Sequence, residues 1–355
     1  MRIIVAGGGT GGHITPIMSV IEELRKLRPE AKIFYIGQKN DIVFLQKFLN
    51  QNNIPFLGIY AGKLHRYLTF KNFSIFLSIL GFFQSLILII KIKPNVIFLK
   101  GGFVTVPIGL AGALCARPLV LHESDMVMGL SNKILFPFSK AVCMGFKLSL
   151  NNPKIHFTGT PIRKDFFITY VVSTHQKPRL LITGGSQGAR QINEFIFNNI
   201  AILSQLADII HITGKYDFRK SQNIHKLGYE SYEFIETIID VMRQADIVIS
   251  RAGANTLNEL SALAKAVIIV PLSSAAHDHQ NKNALYFKEK NAALIAYTED
   301  EIMKELKQLI SDKGLREQLE KNIVTISNPD AGLRIAQTII NEAIKPVSPV
   351  RSEFI

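Results

Sequence analysis

Short runs of aliphatic and β-branched residues alternate with longer amphipathic segments along most of the chain. Such runs, flanked by helical segments, are typical of the buried strands of a parallel sheet that helices cover on both faces. The alternation therefore predicts an α/β protein with one series of strands in each half of the chain. The first series comprises 2–6, 32–36, 95–99, 118–122 and 141–145, and the second comprises 179–184, 208–214, 232–235, 246–250, 266–271 and 292–297.

The two series of strands predict two doubly wound domains. A chain of 355 residues exceeds the length of about 250–300 residues at which a single hydrophobic core stops growing. We place the N-terminal domain at 1–163, a linker that ends in a Gln-Lys-Pro breaker at 164–178, and the C-terminal domain at 179–328. A last helix is expected at 329–345, followed by a disordered tail at 346–355.

The net charge of +13 is concentrated in the first domain. Residues 1–160 contain 18 Lys and Arg against 6 Asp and Glu, whereas the remaining residues contain 23 against 22. No acidic residue lies between Ile42 and His122. The first domain is therefore expected to face an anionic partner, and the second is not.

Cysteine usage and the N-terminus both favour the cytoplasm. Cys115 and Cys143 are the two cysteines of the sequence and form no CxxC motif, so neither a disulfide framework nor a zinc site is expected. Met1 leads directly into the first predicted strand, and we therefore expect no signal peptide.

The segment 73–90 carries no charge over 18 residues, close to the length of about 20 residues that crosses a bilayer as a helix. A crossing would separate the predicted strands 2–6 and 95–99, which are expected to belong to one sheet, so we expect none. Two alternatives stay open: a helix buried on all sides, or a helix that packs its small residues on the domain and offers its apolar residues to an anionic membrane surface. The small residues are Ser74, Ser78, Gly81 and Ser85, and the membrane contacts would be Phe73, Phe76, Phe83 and Lys71.

The first predicted strand runs into a glycine-rich loop, 7–12, with the spacing GxGxxG. Alone, this motif is weak support for dinucleotide binding, since Gly37 and Gln38 stand where the second strand would offer a ribose-binding acid. The sequence also has no GxxxxGK[ST] motif, which disfavours a P-loop NTPase. The loop does provide close backbone approach and a helix N-terminus directed at negative charge.

His13 directly follows this loop and is expected in the first turn of the next helix. The positive end of a helix lowers the proton affinity of an imidazole, so a neutral His13 would be able to accept a proton near neutral pH. The alternative is a histidine that only ties down the loop by hydrogen bonding.

Three further turns between a strand and a helix carry polar groups suited to a nucleotide sugar. In GGSQGAR, Ser186 and the surrounding amides suit a phosphate. In SRAGANTLNE, the first-turn amides suit a pyrophosphate, whereas Glu259 would repel phosphate and suits the hydroxyl pair of a ribose. Gln280 and Asn281 follow another strand and offer amide groups to sugar hydroxyls. Together these turns predict a nucleotide-sugar ligand.

Six motifs follow one another along the chain: GGGTGGHITP, KGGFVTVP, HESD with GLSNK, GTPIR, GGSQGAR and SRAGANTLNE. Their order and spacing resemble the MurG family of peptidoglycan N-acetylglucosaminyltransferases over about 1–345. The resemblance implies the GT-B fold, in which two Rossmann-like doubly wound domains face each other across a cleft. It also implies that the helix at 329–345 returns to the first domain.

By this resemblance, the second domain binds UDP-GlcNAc, and the first binds lipid I (undecaprenyl-pyrophosphoryl-MurNAc-pentapeptide) at the cytoplasmic face of the inner membrane. The implied reaction is an inverting transfer of GlcNAc to the C4 hydroxyl of the N-acetylmuramyl unit, which forms lipid II. His13 is the candidate base for that hydroxyl, and helix N-termini with Arg163 stabilise the departing UDP. No metal or other cofactor is expected, and nucleic acid is not an expected partner.

The resemblance also implies which residues contact the donor. One position departs from the family pattern, because Asp125 stands where the family commonly has an asparagine that touches the donor. A carboxylate beside a pyrophosphate is costly unless a cation such as Arg163 or Lys133 pairs with it, so the donor contact of Asp125 stays open. The remaining donor contacts are Thr10, Gly11, Gly12, Arg163, Ser186, Ile235, Ala254, Asn255, Thr256, Leu257, Asn258, Glu259 and Gln280.

Three alternative functions share parts of this pattern. A related GT-B enzyme, such as a diacylglycerol glycosyltransferase or a UDP-GlcNAc 2-epimerase, would share the donor site. A nicotinamide oxidoreductase would use the glycine loop, but the sequence lacks its ribose acid. A non-catalytic membrane-bound sensor would bind UDP-GlcNAc without turnover.

Overall fold

The architecture comes from a computed structural model, which describes residues 1–8, 11–39, 42–62, 73–148, 151–168, 177–185, 188–235, 237–272 and 278–345. Side chains are described at the same positions except 11–14, 42–44, 73–75 and 278. The chain divides into two compact units. Unit 1 comprises Met1–Arg163 and the segment from Asp330, and unit 2 comprises Lys164–Pro329.

Unit 1 contains a parallel sheet. Its strands are β1 (Arg2–Ala6), β2 (Lys32–Gln38), β3 (Phe56–Ile59), β4 (Val96–Leu99), β5 (Leu119–Glu123), β6 (Ala141–Met144) and β7 (Ile155–Phe157). Its first helices are α1 (Gly11–Leu27), α2 (Ile42–Gln51), α3 (Phe73–Ile92), α4 (Thr105–Leu114) and α5 (Leu130–Leu135), and Phe136–Phe138 form a short 3-10 helix. The strands lie in the order β3-β2-β1-β4-β5-β6-β7, with every neighbouring pair parallel.

The strand order of unit 1 reverses at β1 and β4, which are neighbours in the sheet. In a doubly wound sheet, the connections leave such neighbours in opposite directions, which opens a crevice at the carboxyl ends of the strands. The strands β1, β4, β5 and β6 are buried almost throughout, because a hydrophobic cluster covers each face of the sheet. The five strands predicted for this half are confirmed.

The sequence does not predict β3 and β7. Both lie at the edges of the sheet, and most of their residues are half-buried or exposed. An edge strand pairs on one side only, and β7 has 3 residues, so neither strand produces a clear apolar pattern.

Unit 2 contains a second parallel sheet. Its strands are β8 (Arg179–Thr183), β9 (Asp208–Ile212), β10 (Tyr229–Tyr232), β11 (Ile247–Ser250), β12 (Ala266–Ile269) and β13 (Leu294–Ile295). Its helices are α6 (Arg190–Leu206), α7 (Phe218–Gln222), α8 (Ile238–Gln244), α9 (Ala254–Ala262), α10 (Asp278–Glu289), α11 (Glu299–Ser311) and α12 (Lys313–Ile323). The strands lie in the order β10-β9-β8-β11-β12-β13.

One predicted strand of unit 2 is displaced. The sequence places it at 232–235, whereas β10 lies at Tyr229–Tyr232. The apolar run YEFI resembles a strand, but Phe234 is 65 % exposed. Pairing with β9, in which Tyr229 stands opposite Ile209, fixes the strand three residues earlier. The other five predicted strands of this half are confirmed.

Lys164–Phe167, at the start of the predicted linker, form a short 3-10 helix that belongs to unit 2. Phe166 is buried, and the Arg243 guanidinium donates a hydrogen bond to the carbonyl oxygen of Asp165. These contacts join the segment to α8. Residues 169–176 of the predicted linker and the whole predicted tail lie outside the described residues.

The last helix, α13 (Ala331–Ile344), belongs to unit 1 although it follows unit 2 in sequence. Ile335 and Ile339 join the hydrophobic cluster that β1 and α1 form on one face of the sheet. Gly332 lets the helices approach, since a Cβ added there would lie 3.3 Å from the carbonyl oxygen of Ser19 in α1. Unit 1 is thus completed by residues from both ends of the chain.

The apolar helix α3 packs through its small residues. Gly81 and Ser85 are buried, and the Ser78 hydroxyl donates a hydrogen bond to the carbonyl oxygen of Gly62. A Cβ added at Gly81 would lie 1.9 Å from the carbonyl oxygen of Tyr60, so only glycine permits this approach. The opposite face of α3 exposes the large apolar residues Phe76, Ile79, Leu80, Phe83, Ile87 and Ile90.

The exposed face of α3 contradicts the alternative of a helix buried on all sides. Phe76 and Phe83 are 60 % and 55 % exposed. Within the described part of the chain, no helix has both the length and the apolar character to cross a membrane. Of the other two predicted membrane contacts, Lys71 lies outside the described residues, and Phe73 is described by its backbone as the first residue of α3.

Candidate active site

The first glycine loop connects β1 to α1 at the switch point of unit 1. Helix α1 begins at Gly11, so Gly11, Gly12 and His13 are its first three residues, and the predicted placement of His13 in the first turn is confirmed. Thr10 lies outside the described residues. Because the first-turn amides of a helix have no partner within the helix, this end of α1 attracts negative charge.

The loop after β5 is held by one buried carboxylate. Glu123, the last residue of β5, accepts hydrogen bonds from the backbone N–H of Gly129 (2.8 Å) and the side-chain amide of Asn132 (2.9 Å). Burial, and then the nearby Asp125, raise the pKa of Glu123. Arg163, a predicted donor-contacting residue, and Asp125, whose donor contact was left open, are both half-buried in unit 1.

The second glycine loop connects β8 to α6 in unit 2. Gly185 and Gly188 both have a φ of 75°, a left-handed conformation that glycine adopts without strain. A Cβ at Gly188 would also lie 2.7 Å from the carbonyl oxygen of Thr213, so the loop packs directly on the end of β9. Ser186, the predicted phosphate ligand, lies outside the described residues. Arg190 pairs with Glu194 on the helix surface at 2.8 Å.

A second helix N-terminus lies beside this loop. Helix α9 begins at Ala254, after a turn at 251–253 that follows β11. Strand β11 is the sheet neighbour of β8, with Ser250 opposite Thr183. The connections after β8 and β11 leave in opposite directions, as they do at a switch point. Two helix N-termini therefore point at one crevice of unit 2, an arrangement suited to a pyrophosphate.

The predicted donor residues of α9 divide into two groups. Asn255, Thr256 and Glu259 are half-buried within the first two turns. Leu257 is fully buried, and Asn258 is 1 % exposed and donates its side-chain amide to the carbonyl oxygen of Ala254 (2.8 Å). The side chains of this second group therefore support the helix rather than line its N-terminus.

The remaining predicted sugar- and base-contacting residues follow two strands of the unit 2 sheet, β12 and β10. Gln280 of α10 accepts a hydrogen bond from the Leu272 backbone N–H (3.1 Å), which ties it to the segment after β12. Asn281 accepts one from the Tyr297 hydroxyl (2.8 Å). Ile235 is half-buried beyond the end of β10.

Arg251 supports this edge of unit 2 and was not predicted from the sequence. It is 7 % exposed, and its guanidinium donates to the Gln191 side chain (3.0 Å) and to the carbonyl oxygens of Val270 (3.0 Å) and Pro271 (3.3 Å). Burial lowers its pKa. One side chain thus joins the starts of α6 and α9 to the end of β12. In the sequence, the feature that could have identified Arg251 is its position directly after a predicted strand.

A buried histidine also supports the second glycine loop without having been predicted. His211 of β9 contacts the Asn193 side chain and the Tyr229 hydroxyl, each at 3.0 Å. Burial lowers the pKa of His211 to about 3, so the ring is neutral. Asn193 in turn donates to the carbonyl oxygen of Thr213 (2.8 Å), which fixes the start of α6 against β9. In the sequence, the feature that could have identified His211 is the presence of a polar residue inside the apolar run DIIHI.

Two doubly wound units, each with glycine loops at its switch point, define the GT-B fold class. Residues 3–144 match the family described as "Glycosyltransferase family 28 N-terminal domain", and residues 179–330 match "Glycosyltransferase family 28 C-terminal domain".

Two curated relatives from Clostridium have the same enzyme name, UDP-N-acetylglucosamine–N-acetylmuramyl-(pentapeptide) pyrophosphoryl-undecaprenol N-acetylglucosamine transferase. The protein from Clostridium perfringens (strain 13 / Type A) is 40 % identical over 90 % of this chain and 91 % of its own length. That from Clostridium botulinum (strain Kyoto / Type A2) is 38 % identical over 88 % and 92 %. A crystal structure of Acinetobacter baumannii MurG matches with a TM-score of 0.74 at 25 % identity, over 96 % of this chain and 99 % of that one. The chain belongs to the MurG family of glycosyltransferases.

Proposed function

We propose that this protein transfers GlcNAc from UDP-GlcNAc to lipid I and so forms lipid II. The observation that carries the proposal is the pair of helix N-termini after the neighbouring strands β8 and β11, an arrangement that suits a pyrophosphate. The 38–40 % identity to relatives named N-acetylglucosamine transferases also supports it. A diacylglycerol glycosyltransferase or an epimerase would share the fold, but the names of these relatives favour the lipid-linked N-acetylmuramyl acceptor.

In the proposed reaction, the C4 hydroxyl of the MurNAc unit attacks the anomeric carbon of UDP-GlcNAc, and the configuration inverts. His13 takes the hydroxyl proton, which suits its position in the first turn of α1. The departing UDP gains negative charge, which the N-termini of α6 and α9 and the Arg163 guanidinium stabilise. Because these groups supply the positive field, the proposed step uses no metal ion and no other cofactor.

The donor contacts proposed on unit 2 follow the carboxyl ends of its strands. The uracil is read by the backbone of Ile235, the ribose by Glu259, and the GlcNAc by Gln280 with Asn281 beside it. Leu257 and Asn258 act through the helix that they stabilise, since both are buried. The further proposed donor contacts are Thr10, Gly11, Gly12, Arg163, Ser186, Ala254, Asn255 and Thr256.

We further propose that unit 1 docks on the anionic cytoplasmic face of the inner membrane through α3. Its exposed apolar residues provide the burial that membrane binding requires, and the excess of basic over acidic residues at 1–160 provides attraction to anionic headgroups. This places the acceptor-binding unit where lipid I is anchored.

The test is transfer of radiolabel from UDP-GlcNAc to a lipid I analogue, with release of UDP measured in parallel. We expect labelled disaccharide product, and UDP release that depends on the acceptor. Release of UDP without acceptor, with formation of the 2-epimer, would instead favour the epimerase. Binding of UDP-GlcNAc with no turnover would favour the sensor, and binding of NADH would favour the oxidoreductase. A fully chelated enzyme that regained activity only with Mg²⁺ would contradict the metal-independent step.

A further inference from the structure

A buried tyrosine hydroxyl contacts the start of the first glycine loop. Tyr35 of β2 is fully buried, and its hydroxyl donates a hydrogen bond to the carbonyl oxygen of Gly7 (2.6 Å). Gly7 is the first residue after β1 and is itself buried. A buried hydroxyl and a buried carbonyl each cost free energy when they lack a partner, and here the two groups satisfy each other. The hydrogen bond therefore ties the first residue of the loop to the core of unit 1.

The sheet holds the Tyr35 ring in place. Strand β2 lies between β1 and β3, with Tyr35 opposite Val5 on one side and opposite Phe56 on the other. The rings of Tyr35 and Phe56 stack at a centroid distance of 5.9 Å and an interplanar angle of 18°. Tyr35 also belongs to the hydrophobic cluster that β1, α1 and α13 form. Its hydroxyl is thus a fixed donor beside the loop.

The end of β1 is held from the opposite side by the backbone of the neighbouring strand. The backbone N–H of Lys100, which directly follows β4, donates to the carbonyl oxygen of Ala6 (2.9 Å). Two consecutive carbonyls at the end of β1 therefore have donors from two different strands, that of Ala6 from the Lys100 backbone and that of Gly7 from the Tyr35 side chain.

The peptide after this point joins two glycines, Gly7 and Gly8. Because neither residue has a Cβ, such a peptide can turn over between two orientations at a lower cost than a peptide between other residues. A trans peptide is planar, and its C=O and N–H point in opposite directions. The hydrogen bond from Tyr35 directs the Gly7 carbonyl toward the tyrosine, so the N–H of Gly8 points away from it.

We propose that Tyr35 is a positioning residue for the first glycine loop, and that its hydroxyl selects this one orientation of the peptide between Gly7 and Gly8. In the opposite orientation, a carbonyl oxygen would oppose the positive field at the N-terminus of α1. The loop leads into α1, whose first turn contains His13, so the start of the loop determines where the proposed base stands. The inference rests on the proposed function, because that function gives His13 its role.

The test is Tyr35→Phe, which removes the hydroxyl and keeps the ring that stacks on Phe56. Ser139→Ala is the matched control, because the Ser139 hydroxyl is also buried in unit 1 and donates to a backbone carbonyl, that of Phe136 (2.8 Å). Each protein is assayed for kcat, for the KM of UDP-GlcNAc and of a lipid I analogue, and for its melting temperature. The amide resonance of Gly8 is followed by NMR in protein labelled with ¹⁵N-glycine.

We expect Tyr35→Phe to lower kcat by about threefold to tenfold, the range that loss of one hydrogen bond of ordinary strength allows. The KM of UDP-GlcNAc should stay within about threefold, because most of the proposed donor contacts belong to unit 2. The Gly8 resonance should broaden or split as the peptide samples both orientations. Ser139→Ala should keep kcat and the Gly8 resonance of the wild type, even where its melting temperature falls as far as that of Tyr35→Phe.

Either a wild-type kcat or a single, sharp Gly8 resonance in Tyr35→Phe would overturn the inference, and so would an equal loss of kcat in Ser139→Ala. A Tyr35→Phe protein that did not fold would assign the hydroxyl to stability alone and would also overturn it. A wild type inactive on lipid I would refute the proposed function. The Gly8 resonance would still decide whether Tyr35 sets the orientation of the peptide.

Discussion

His13 is the residue on which the proposed chemistry depends most directly. As the third residue of α1, it lies among the first-turn amides, which have no partner within the helix. We expect His13→Ala to retain UDP binding and to lose turnover by about 10²-fold or more, the usual scale for a general base. Single-turnover assays and UDP titration measure the two effects. His156→Ala, at an exposed position of β7, is the control, and near-normal turnover of His13→Ala would remove the assignment.

The burial of Lys100 should make the free energy of unfolding rise with pH in the alkaline range. Its pKa falls from 10.5 in the unfolded chain to about 8 in the folded protein. Between these values the unfolded chain keeps a proton that the folded protein has released, so the free energy of unfolding rises with pH. The full shift corresponds to about 3 kcal/mol. Urea titrations between about pH 7.5 and pH 10 should show a larger rise for the wild type than for Lys100→Met, whereas parallel curves would contradict the burial of the charge.

The sequence predicts the role of a residue where that residue is part of a motif. It does not predict the role where the role depends on burial in the folded chain. The glycine loops and the start of α9 were predicted from the sequence, because each stands in a motif between a predicted strand and a predicted helix. In the second loop, the left-handed φ of Gly185 and Gly188 also restricts which residues fit. Lys100 and Arg251 look like ordinary basic residues in the sequence. Their roles depend on being 2 % and 7 % exposed, and burial results from contacts with residues distant in the chain.

Among the helices and strands, α3 leads to two predictions, one for its exposed face and one for its packed face. On the exposed face, we expect Phe76→Ser with Phe83→Ser to weaken binding to anionic vesicles by tenfold or more, since burial of one aromatic side chain contributes about 1.5–3 kcal/mol. Activity on a water-soluble acceptor should persist. Phe138→Ser, at a residue 50 % exposed outside α3, serves as the control. Unchanged vesicle binding would argue against docking through α3.

On the packed face, Gly81→Ala should destabilise unit 1 despite the better helix propensity of alanine. The added methyl would meet the carbonyl oxygen of Tyr60 at 1.9 Å, so α3 must move. Overpacking of this kind costs about 1–3 kcal/mol, more than the gain of about 1 kcal/mol in propensity. Gly314→Ala, whose nearest neighbour is the Asp312 carboxylate at 3.4 Å, should be neutral or stabilising. Thermal unfolding compares the two, and an equal effect would contradict the close packing.

At the scale of the whole molecule, the stability of unit 1 should depend on the C-terminal helix α13, which belongs to that unit, more than the stability of unit 2 does. Ile339 is fully buried among residues of β1 and α1, so Ile339→Ala should cost about 2–5 kcal/mol of stability. Hydrogen exchange should show lost protection in β1 and unchanged protection in β8, since β8 belongs to unit 2. Ile344→Ala, at a residue 64 % exposed, should change little. Equal loss in both units would show that they unfold together.

The amino-acid sequence alone specifies the two parallel sheets, the glycine loops and the apolar segment that became α3. Each depends on local periodicity or on the conformation of a few consecutive residues, which the order of amino acids contains directly. Contacts in the folded chain specify where β10 begins, that the edge strands β3 and β7 form, and which face of α3 is exposed. They also bring the Lys100 ammonium to the Ser124 hydroxyl. These outcomes depend on pairing and burial between distant segments, and the free energy of such contacts belongs to the folded chain rather than to any one stretch of it.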